Sequence, residues 1–265
     1  MSTTCSLSVV VPVFNEEKLL ELNCAAFAKV FDDVVGKKKW QFVFVENGST
    51  DRSREICEKL ADIYFSSNTL CLDKSDYGAA LKAGVLDSQG EFILIMNADH
   101  LLDNLAIIWA WNNRRKFELI LISKRADPTL NSQHIYRKLL SEGLNFLLSL
   151  LFDFVGRDTH GMKLMNAKSA IQIATACQMT RGQFDTELTL RFLASGQSVV
   201  EIPTLYSELR SPRNFMLRKI LQNIFDIIRL RKILHPLGKS EKIEYSRLSR
   251  SQVVSSTSSK QESIL

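Results

Sequence analysis

The first half of the chain alternates between continuous apolar runs and segments with helical periodicity. Four runs rich in β-branched and aromatic residues are typical of strands buried on both faces of a sheet, namely Leu7–Val13, 40–45, 91–96 and 117–123, with a weaker run near 69–72. Between them, apolar residues at helical spacing predict helices over 17–34, from about 51 to 61, 79–86 and 105–113. This alternation with short connections predicts a mostly parallel sheet covered on both faces.

Ligands of such sheets bind in the crevice at the carboxyl ends of the strands. The candidate site therefore comprises the residues that follow each predicted strand, at 14–16, 46–49, 73–78, 97–99 and 124–127. This placement follows from the strand pattern alone.

The alternation stops after about residue 127. The pattern there predicts an apolar helix over 133–152, a connecting segment over 158–166, helices over 168–176 and from about Asp185, and a strand over 198–204. A basic amphipathic helix follows over 215–234, and the Ser-rich sequence beyond it predicts a mobile tail. We expect a main domain over 1–210, an amphipathic helix within 211–240 and a flexible tail over 241–265.

Composition places the chain among ordinary globular proteins. Of its 265 residues, 45% are hydrophobic and 24% are charged, which excludes wholesale disorder and collagen-like repeats. No apolar run approaches the roughly 20 residues that span a bilayer, and the opening residues lack the basic segment of a signal peptide. The five cysteines show no CxxC spacing, so we expect reduced thiols in a cytosolic protein and no zinc site.

The net charge of +5 is unevenly distributed. Residues 209–242 contain nine cations and two anions, so the rest of the chain has a net charge of −2. A basic amphipathic helix can lie in a membrane interface with its cations against anionic headgroups. It can equally pack its apolar face on the main domain, or dock on a membrane-spanning partner. Nucleic acid is a poor partner, because the interleaved aromatic and basic residues of single-strand binders are absent.

Four clusters of residues at the strand ends form an ordered set of motifs. In chain order they are VPVFNEE at 11–17, VENGSTD at 45–51, GAALKAG at 78–84 with MNAD at 96–99, and DTHGMKLM at 158–165 with FDTEL at 184–188. Together they resemble the family 2 glycosyltransferases, and within that family the dolichol-phosphate mannosyltransferases and dolichyl-phosphate glucosyltransferases. The resemblance implies a GT-A fold with a Rossmann-like half that binds a nucleotide-sugar donor.

On the donor side, the resemblance implies that Glu16 and Glu46 accept hydrogen bonds from the ribose or the base. It also implies that Pro12 and Phe14 line the slot for the base. Considered without the resemblance, Glu16 is an ordinary residue of a first helical turn, where a carboxylate stabilises the helix dipole.

The segment Asn97, Ala98 and Asp99 stands where the family carries an Asp-Ala-Asp motif. The resemblance implies that Asp99 binds Mg²⁺ or Mn²⁺ against the donor diphosphate, since Mg²⁺ typically takes one or two carboxylates plus substrate phosphates. Asn97 replaces the first aspartate, and its amide oxygen coordinates without charge, so we expect a lower metal affinity. Metal-independent turnover and an inactive site are the alternatives.

Arginines are the candidate groups for stabilising the leaving diphosphate. The resemblance places Arg125, Arg137 and Arg210 near the phosphates of donor and acceptor, where a guanidinium group binds phosphate through two nitrogens. Considered alone, Arg137 is a residue of a solvated helix face.

The implied mechanism is an in-line displacement that inverts the anomeric carbon. A polyprenyl phosphate acceptor is already anionic and requires no strong general base, so catalysis would depend on positioning and electrostatic stabilisation. We expect Asp158 to shape the acceptor loop. For a hydroxyl acceptor, Asp185 or Glu187 is the candidate base, although Asp185 can also be a helix cap with Glu187 in the first turn.

The leading hypothesis is a peripheral enzyme at the cytosolic face of a membrane that transfers sugar to a polyprenyl, dolichyl-type phosphate. One alternative is a transferase to a hydroxyl of a glycan, a lipid or a small molecule. The other is a non-catalytic relative that binds a nucleotide-sugar or a membrane.

Overall fold

The computed structural model describes residues 5–99, 103–127, 130, 135–205, 217–234 and 245–261, with the side chains of 135–141, 217–221 and 258–261 excluded. These residues form eight strands and nine helices. The strands are β1 Leu7–Val13, β2 Trp40–Glu46, β3 Asn68–Cys71, β4 Phe92–Ile95, β5 Leu119–Ser123, β6 Met162–Asn166, β7 Val199–Pro203 and β8 Tyr245–Arg247. The helices are α1 Leu20–Val34, α2 Ser53–Ile63, α3 Tyr77–Asp87, α4 Asn104–Asn113, α5 Ile135–Phe152, α6 Ala167–Ala176, α7 Gln183–Ala194, α8 Leu217–Leu234 and α9 Arg250–Gln261.

One sheet contains the eight described strands in the order β3-β2-β1-β4-β6-β5-β7-β8. The pairs β1–β2, β2–β3, β1–β4, β5–β7 and β7–β8 are parallel. Only β6, among these strands, is antiparallel to its neighbours β4 and β5. The prediction of a mostly parallel α/β sheet is confirmed.

The sheet has a hydrophobic core on each face. Along β1, Val9 and Val11 lie in one core and Val10 in the other, as expected when successive side chains point to opposite faces. Residues of α1, α2 and α4 cover the first face, and residues of α3, α6 and α7 cover the second. A strand buried on both faces reads as a continuous apolar run, which explains why the sequence predicts β1 with its observed bounds.

The predicted connecting segment over 158–166 contains strand β6, so that prediction is wrong for Met162–Asn166. The strand runs between β4 and β5, and Lys163, its second residue, has no exposed surface. A charged residue in a five-residue run breaks the apolar pattern that identifies the other central strands. Its burial depends on a partner from α7, which no local pattern indicates.

The predicted mobile tail is also wrong for residues 245–261. Strand β8 pairs with the edge strand β7, and helix α9 packs on α4. Val253 is fully buried in the core, and Thr257 is buried beside it in α9. Serines have low hydrophobicity, so composition favours a tail, but two inward-facing residues and one edge strand suffice to dock this segment on the domain.

Helix α8 occupies 217–234 of the predicted 215–234, and residues 215 and 216 lie outside the described part of the chain. Ile227, Leu230 and Leu234 are buried against the main domain. Ile224, Phe225 and Ile228 remain substantially exposed, so the apolar residues of the helix divide between two faces. Among the described helices, none has the length and apolar character needed to cross a bilayer.

Candidate active site

The carboxyl ends of β1, β2 and β4 meet at one edge of the sheet. Val13, at the end of β1, is paired with Glu46, at the end of β2. Strand β1 also pairs with β4, which leads directly into Asn97 and Asp99. The fold therefore brings the segments that carry Glu16, Glu46 and Asp99 to the same edge, as the strand pattern predicts.

The turn after β1 is bonded to the turn after β2. The backbone N–H of Asn15 donates to Ser49 Oγ at 3.1 Å, and that of Glu16 donates to Ser53 Oγ at 2.7 Å. In return, the backbone N–H of Thr50 donates to Asn15 Oδ1 at 2.8 Å. These bonds fix the backbone at Glu16, whose side chain is partly exposed at the edge.

The other predicted donor residues differ in accessibility. Glu46 is buried, with 4% exposure, and its Oε1 accepts the backbone N–H of Ser49 at 2.5 Å. Pro12 is buried within β1, whereas Phe14 is partly exposed just beyond the strand. Phe14 therefore offers more surface for a flat ligand at this edge than Pro12 does.

Asp76 joins the start of α3 to the start of α7. Its Oδ1 accepts the backbone N–H of Ala79 at 2.9 Å, which caps α3, and the backbone N–H of Arg181 at 2.7 Å. A Cβ atom at Gly78 would lie only 2.3 Å from the Arg181 carbonyl oxygen, so glycine is required for this close backbone approach. The backbone N–H of Asp76 also donates to Asn47 Oδ1 at 2.7 Å.

A buried polar network connects Asn97 to helix α7. Tyr77 Oη lies 3.1 Å from Asn97 Oδ1 and 3.4 Å from Asp185 Oδ2. Burial raises the pKa of Tyr77 well above its usual value, and the charge of Asp185 adds to the effect. The Tyr77 hydroxyl therefore stays protonated and donates within this network.

Asp185 forms an ion pair with Lys163 in the interior. Lys163 Nζ lies 2.9 Å from Asp185 Oδ1, and the two side chains are 0% and 1% exposed. Lys163 Nζ also donates to the carbonyls of Thr159 and Gly161 at 2.9 and 3.1 Å. The three contacts satisfy the three protons of the ammonium group, and they tie α7 to β6 and the 158–161 segment.

Glu187 is paired in a similar way. Its side chain is fully buried, and Oε1 lies 2.7 Å from an Arg191 guanidinium nitrogen. Oε2 accepts the backbone N–H groups of Gln178 and Met179 at 2.8 and 2.6 Å. Neither Glu187 nor Asp185 caps α7, because the helix begins at Gln183 with Gly182 as its N-cap residue.

The segment before β6 is held by its own side chains. Asp158 is buried, and its Oδ1 accepts the backbone N–H of His160 at 2.9 Å, while Oδ2 is buried without a hydrogen-bond partner among the described residues. His160 Nε2 lies 3.0 Å from the Gly182 carbonyl oxygen, so this nitrogen carries the proton and donates. Burial lowers the pKa of His160 more strongly than the charges of Asp185 and Asp158 raise it.

Arg125 is the only one of the three predicted arginines with a described side chain. Its Nη1 donates to the Arg157 carbonyl at 3.4 Å, at the edge of the 158–161 segment. Burial lowers the pKa of Arg125, and the nearby charge of Asp158 opposes that effect. Arg137 lies in α5 with its side chain outside the described set, and Arg210 lies outside the described residues altogether.

The oxygen groups at 97 and 99 suit a hard divalent cation. The described residues contain no cluster of three His, Cys, Asp or Glu side chains that could hold an ion by themselves. Asp99 supplies a partly exposed carboxylate, and Asn97 supplies an amide oxygen next to Tyr77 Oη. This donor set fits Mg²⁺ or Mn²⁺ when a substrate diphosphate provides the remaining oxygens.

Sequence reasoning gave no individual role to three residues of the site, Tyr77, Lys163 and His160, although Tyr77 lies within the predicted strand-end segment 73–78. Tyr77 directly precedes the glycine-flanked motif at 78–84, and nothing in its own neighbourhood indicates that it reaches Asn97. The useful signal was at Lys163, because a lysine flanked by Met162 and Leu164 is unusual in a buried run and predicts a buried acidic partner.

Comparison with known proteins gives a consistent result. Residues 8–107 match the family model of glycosyl transferase family 2. The chain is 26% identical over 252 residues to a dolichyl-phosphate beta-glucosyltransferase of Trichomonas vaginalis, covering 88% of this chain and 74% of that protein. It is 27% identical over 204 residues to the dolichyl-phosphate beta-glucosyltransferase of Homo sapiens, covering 71% of this chain and 63% of that protein.

Two solved structures share the fold. The Mycobacterium tuberculosis glucosyl-3-phosphoglycerate synthase with Mn²⁺, UDP-glucose and phosphoglyceric acid matches with a TM-score of 0.59 and 16% identity, over 90% of this chain and 82% of that chain. S. aureus TarS in complex with UDP-GlcNAc matches with a TM-score of 0.57 and 15% identity, over 90% of this chain and 68% of that chain. The predicted GT-A fold is confirmed.

Proposed function

We propose that this chain, whose residues 8–107 match the model of glycosyl transferase family 2, transfers a sugar from a nucleotide-sugar to a polyprenyl, dolichyl-type phosphate with inversion at the anomeric carbon. The observation that carries the proposal is the pairing of both candidate general bases with cations. Similarity to dolichyl-phosphate beta-glucosyltransferases supports the same acceptor class and favours glucose as the sugar.

The pairing of Asp185 makes it a poor base. A carboxylate that accepts a proton from an acceptor hydroxyl becomes neutral, which would leave the ammonium group of Lys163 uncompensated in the interior. The same argument applies to Glu187, because its protonation would weaken the pair with Arg191 and the bonds from two backbone N–H groups. A phosphate acceptor avoids this cost, because its attacking oxygen is already anionic.

On the donor side, we assign Glu16 and Glu46 to the ribose and the base, with Phe14 and the buried Pro12 bordering the base slot. The bond from the Glu16 backbone N–H to Ser53 fixes the backbone at Glu16, and the bond from the Ser49 N–H holds the Glu46 carboxylate at the sheet edge before substrate binds. Preorganised acceptors of this kind lower the cost of binding, because few side chains have to be ordered.

Asn97, Ala98 and Asp99 are assigned to the donor diphosphate. Asp99 would hold Mg²⁺ or Mn²⁺, and Asn97 would contribute a neutral oxygen. A divalent cation supplies charge stabilisation to the departing diphosphate. Asn23 Nδ2 donates to the Ala98 carbonyl at 2.7 Å, which fixes the backbone between the two ligand positions.

Arg125, Arg137 and Arg210 are assigned to the phosphates of the donor and the acceptor. Arg125 is placed between β5 and the 158–161 segment, where a guanidinium group can bind an incoming phosphate through two nitrogens. Asp158 fixes the backbone at His160, so it shapes the acceptor side without contacting the reacting atoms.

In the proposed reaction, an acceptor phosphate oxygen attacks the anomeric carbon from the side opposite the nucleoside diphosphate. The new carbon–oxygen bond forms as the bond to the diphosphate breaks, and the diphosphate leaves with the electron pair. No proton is transferred, so this chain's residues position the two substrates and stabilise the departing charge.

The test compares two acceptors that differ only in the phosphate. Purified protein is incubated with UDP-glucose or GDP-mannose, Mg²⁺ or Mn²⁺, and either dolichyl phosphate or dolichol, and products are identified by mass spectrometry. We expect transfer to dolichyl phosphate and none to dolichol, with UDP-glucose as the better donor. Transfer to dolichol at a comparable rate would support the hydroxyl alternative. Absence of transfer to either acceptor would support the non-catalytic one, in which thermal stabilisation by a nucleotide-sugar indicates a nucleotide-sugar binder and unchanged stability does not.

We also propose that α5 and α8 attach the protein to the cytosolic surface of an anionic bilayer. The two helices are in contact and leave large apolar side chains exposed, namely Phe146, Leu150, Ile224, Phe225 and Ile228. Exposed cations lie on the same α8 helix, at Arg229, Arg231 and Lys232. Apolar side chains next to cations suit an interface with anionic headgroups.

Vesicle binding tests the membrane proposal. We expect co-sedimentation with vesicles of phosphatidylcholine and phosphatidylserine, reduced at least about fivefold in the Phe146→Glu/Phe225→Glu variant, because charge opposes apolar insertion. Phe65→Glu, at an exposed position after α2, is the control. Undiminished binding by the double variant would refute attachment through these helices, and binding only with a membrane-spanning protein present would favour a partner subunit.

A further inference from the structure

The C-terminal segment is bonded to the domain at both of its elements. Strand β8 adds a parallel strand to the edge of the sheet, and α9 lies against α4. Trp109 Nε1 in α4 donates to Ser256 Oγ in α9 at 2.8 Å, and Val253 is fully buried between the helix and the core. Segment 245–261 is therefore part of the domain, and its polar contacts lead to two places near the candidate site.

The first place is the start of α4. Arg250 binds Asp103 with both terminal nitrogens, one of them Nη2 at 3.0 Å from Oδ1. The other carboxylate oxygen of Asp103 also accepts the backbone N–H of Leu205 at 3.0 Å. Asp103 is buried, with 6% exposure, and it lies four residues after Asp99 in the sequence. The guanidinium of Arg250 thus fixes the end of the connection that begins at the proposed metal ligand.

The second place is the segment that leads into Asp158. Glu201 in β7 is fully buried, and its Oε2 accepts the hydroxyl of Tyr245, the Arg247 Nε at 3.3 Å and the backbone N–H of Arg157 at 3.1 Å. Arg247 Nη2 also donates to the Val155 carbonyl at 2.9 Å. Residues 155 and 157 are therefore held by β8 directly and through Glu201.

We propose that β8 and α9 form a brace that positions the two sides of the active site independently, with Arg250 acting on the donor side through Asp103 and Arg247 acting on the acceptor side through Glu201. The inference rests on the proposed transferase function, since it assigns the two sides to donor and acceptor. Arg250 and Arg247 are positioning residues, because each contacts another residue of the fold.

Both contacts of the brace depend on the same physical effect, the pairing of a buried carboxylate with an arginine. Asp103 and Glu201 are buried carboxylates that each pair with an arginine, and removing one partner of a buried ion pair leaves an uncompensated charge in the interior. Each receives an arginine from the C-terminal segment together with one backbone N–H, that of Leu205 for Asp103 and that of Arg157 for Glu201. Loss of the arginine releases the carboxylate, and the backbone contact that depends on its position is weakened with it.

The experiment tests the Arg250 contact and the Arg247 contact separately, by enzyme kinetics and by nucleotide binding. Arg250→Met and Arg247→Met are compared with Arg115→Met, which removes an exposed ion pair with Glu91 at the start of β4. KM for UDP-glucose, KM for dolichyl phosphate and kcat are measured for each variant. The rise in melting temperature caused by UDP-glucose with Mn²⁺ is measured separately, because it reports donor binding without turnover.

We expect Arg250→Met to raise KM for UDP-glucose at least about fivefold and to reduce the nucleotide-induced thermal shift, with KM for dolichyl phosphate unchanged. Arg247→Met should raise KM for dolichyl phosphate by a similar factor and leave the thermal shift intact. Arg250→Lys keeps the charge but loses the second nitrogen, so its KM for UDP-glucose should lie between those of wild type and Arg250→Met. If Arg250→Met does not fold, Arg250→Lys replaces it in the test.

Three results would overturn the brace: both variants behaving as Arg115→Met does, an equal change in both KM values, or a loss of kcat alone in proportion to the loss of folded protein. Failure of the transferase function itself is distinguishable. In that case the wild-type protein transfers sugar to neither acceptor. The effect of Arg250 on donor binding is still tested, because the nucleotide-induced thermal shift of Arg250→Met can be compared with that of wild type.

Discussion

The acidic residues on the two sides of the candidate site are held in different ways. On the donor side, Glu46 accepts a backbone N–H group. On the acceptor side, Asp185 and Glu187 are paired with the cations of Lys163 and Arg191. A backbone N–H holds a carboxylate in place without cancelling its charge, whereas an ion pair cancels it. Under the proposed function, Glu46 keeps its charge on the donor side, whereas the charges of Asp185 and Glu187 are neutralised on the side that an anionic acceptor would approach; Asp158, which accepts a backbone N–H, is the exception there.

The strongest test of this difference is to remove Lys163, the cation that pairs with Asp185. Lys163→Met leaves Asp185 charged and unpaired in the interior, so we expect a loss of about 3–5 kcal/mol in the free energy of unfolding, measured by chemical denaturation. Lys59→Met, which removes an exposed pair with Glu21, should cost less than about 1 kcal/mol.

A second variant tests whether the loss comes from the orphaned charge. Combining Lys163→Met with Asp185→Asn removes both charges and should recover most of the stability, because no uncompensated ion remains. A Lys163→Met protein as stable as wild type would show that the pair does not neutralise Asp185, and the argument against Asp185 as a base would fall with it.

Removing the charge of Asp99 tests the proposed role of negative charge on the donor side. Asp99→Ala should lower kcat/KM by about 100-fold or more, because it removes the carboxylate proposed to hold the divalent cation that would stabilise the departing diphosphate. Asp99 is partly exposed, so the melting temperature should change little. Asn97→Asp at saturating Mg²⁺ should preserve or raise kcat/KM. Unchanged turnover in Asp99→Ala would contradict the assignment of Asp99 as a metal ligand.

The smallest effect concerns the pH dependence of stability on the acceptor side. Burial lowers the pKa of His160 in the folded protein below its value of about 6.5 in an unfolded chain. The unfolded state therefore binds more protons below that pH, and stability falls as the pH drops through this range. His160→Gln should flatten the fall between pH 7 and pH 5, measured as the difference in melting temperature; an identical slope in both proteins would contradict a buried neutral imidazole.

The sequence was most informative where local pattern and tertiary position agree. Strand β1 is buried on both faces and therefore reads as an unbroken apolar run, and the residues after it fall at the sheet edge by topology alone. The proposed donor side of the candidate site consists of such strand ends, which is why the strand pattern predicts that Glu16, Glu46 and Asp99 lie at one edge of the sheet.

The acceptor side and the C-terminal segment depend on distant partners. Strand β6 is recognisable only once Lys163 is known to meet Asp185, 22 residues further along the chain. Helix α9 is Ser-rich, and its docking depends on Arg250 reaching Asp103 across 147 residues. A local window contains neither partner, so periodicity and composition pointed to a connecting segment in the first case and to a tail in the second.

The junction at Asp76 and Gly78 has a mechanical consequence. One carboxylate oxygen bonds the first turn of α3 and the backbone at Arg181 together, and the missing side chain at Gly78 lets the two backbones touch. A joint this tight leaves no room for sliding between the start of α3 and the backbone at Arg181 just before α7, so these two parts of the fold must move together. Any closure over bound substrates therefore has to pivot elsewhere in the molecule.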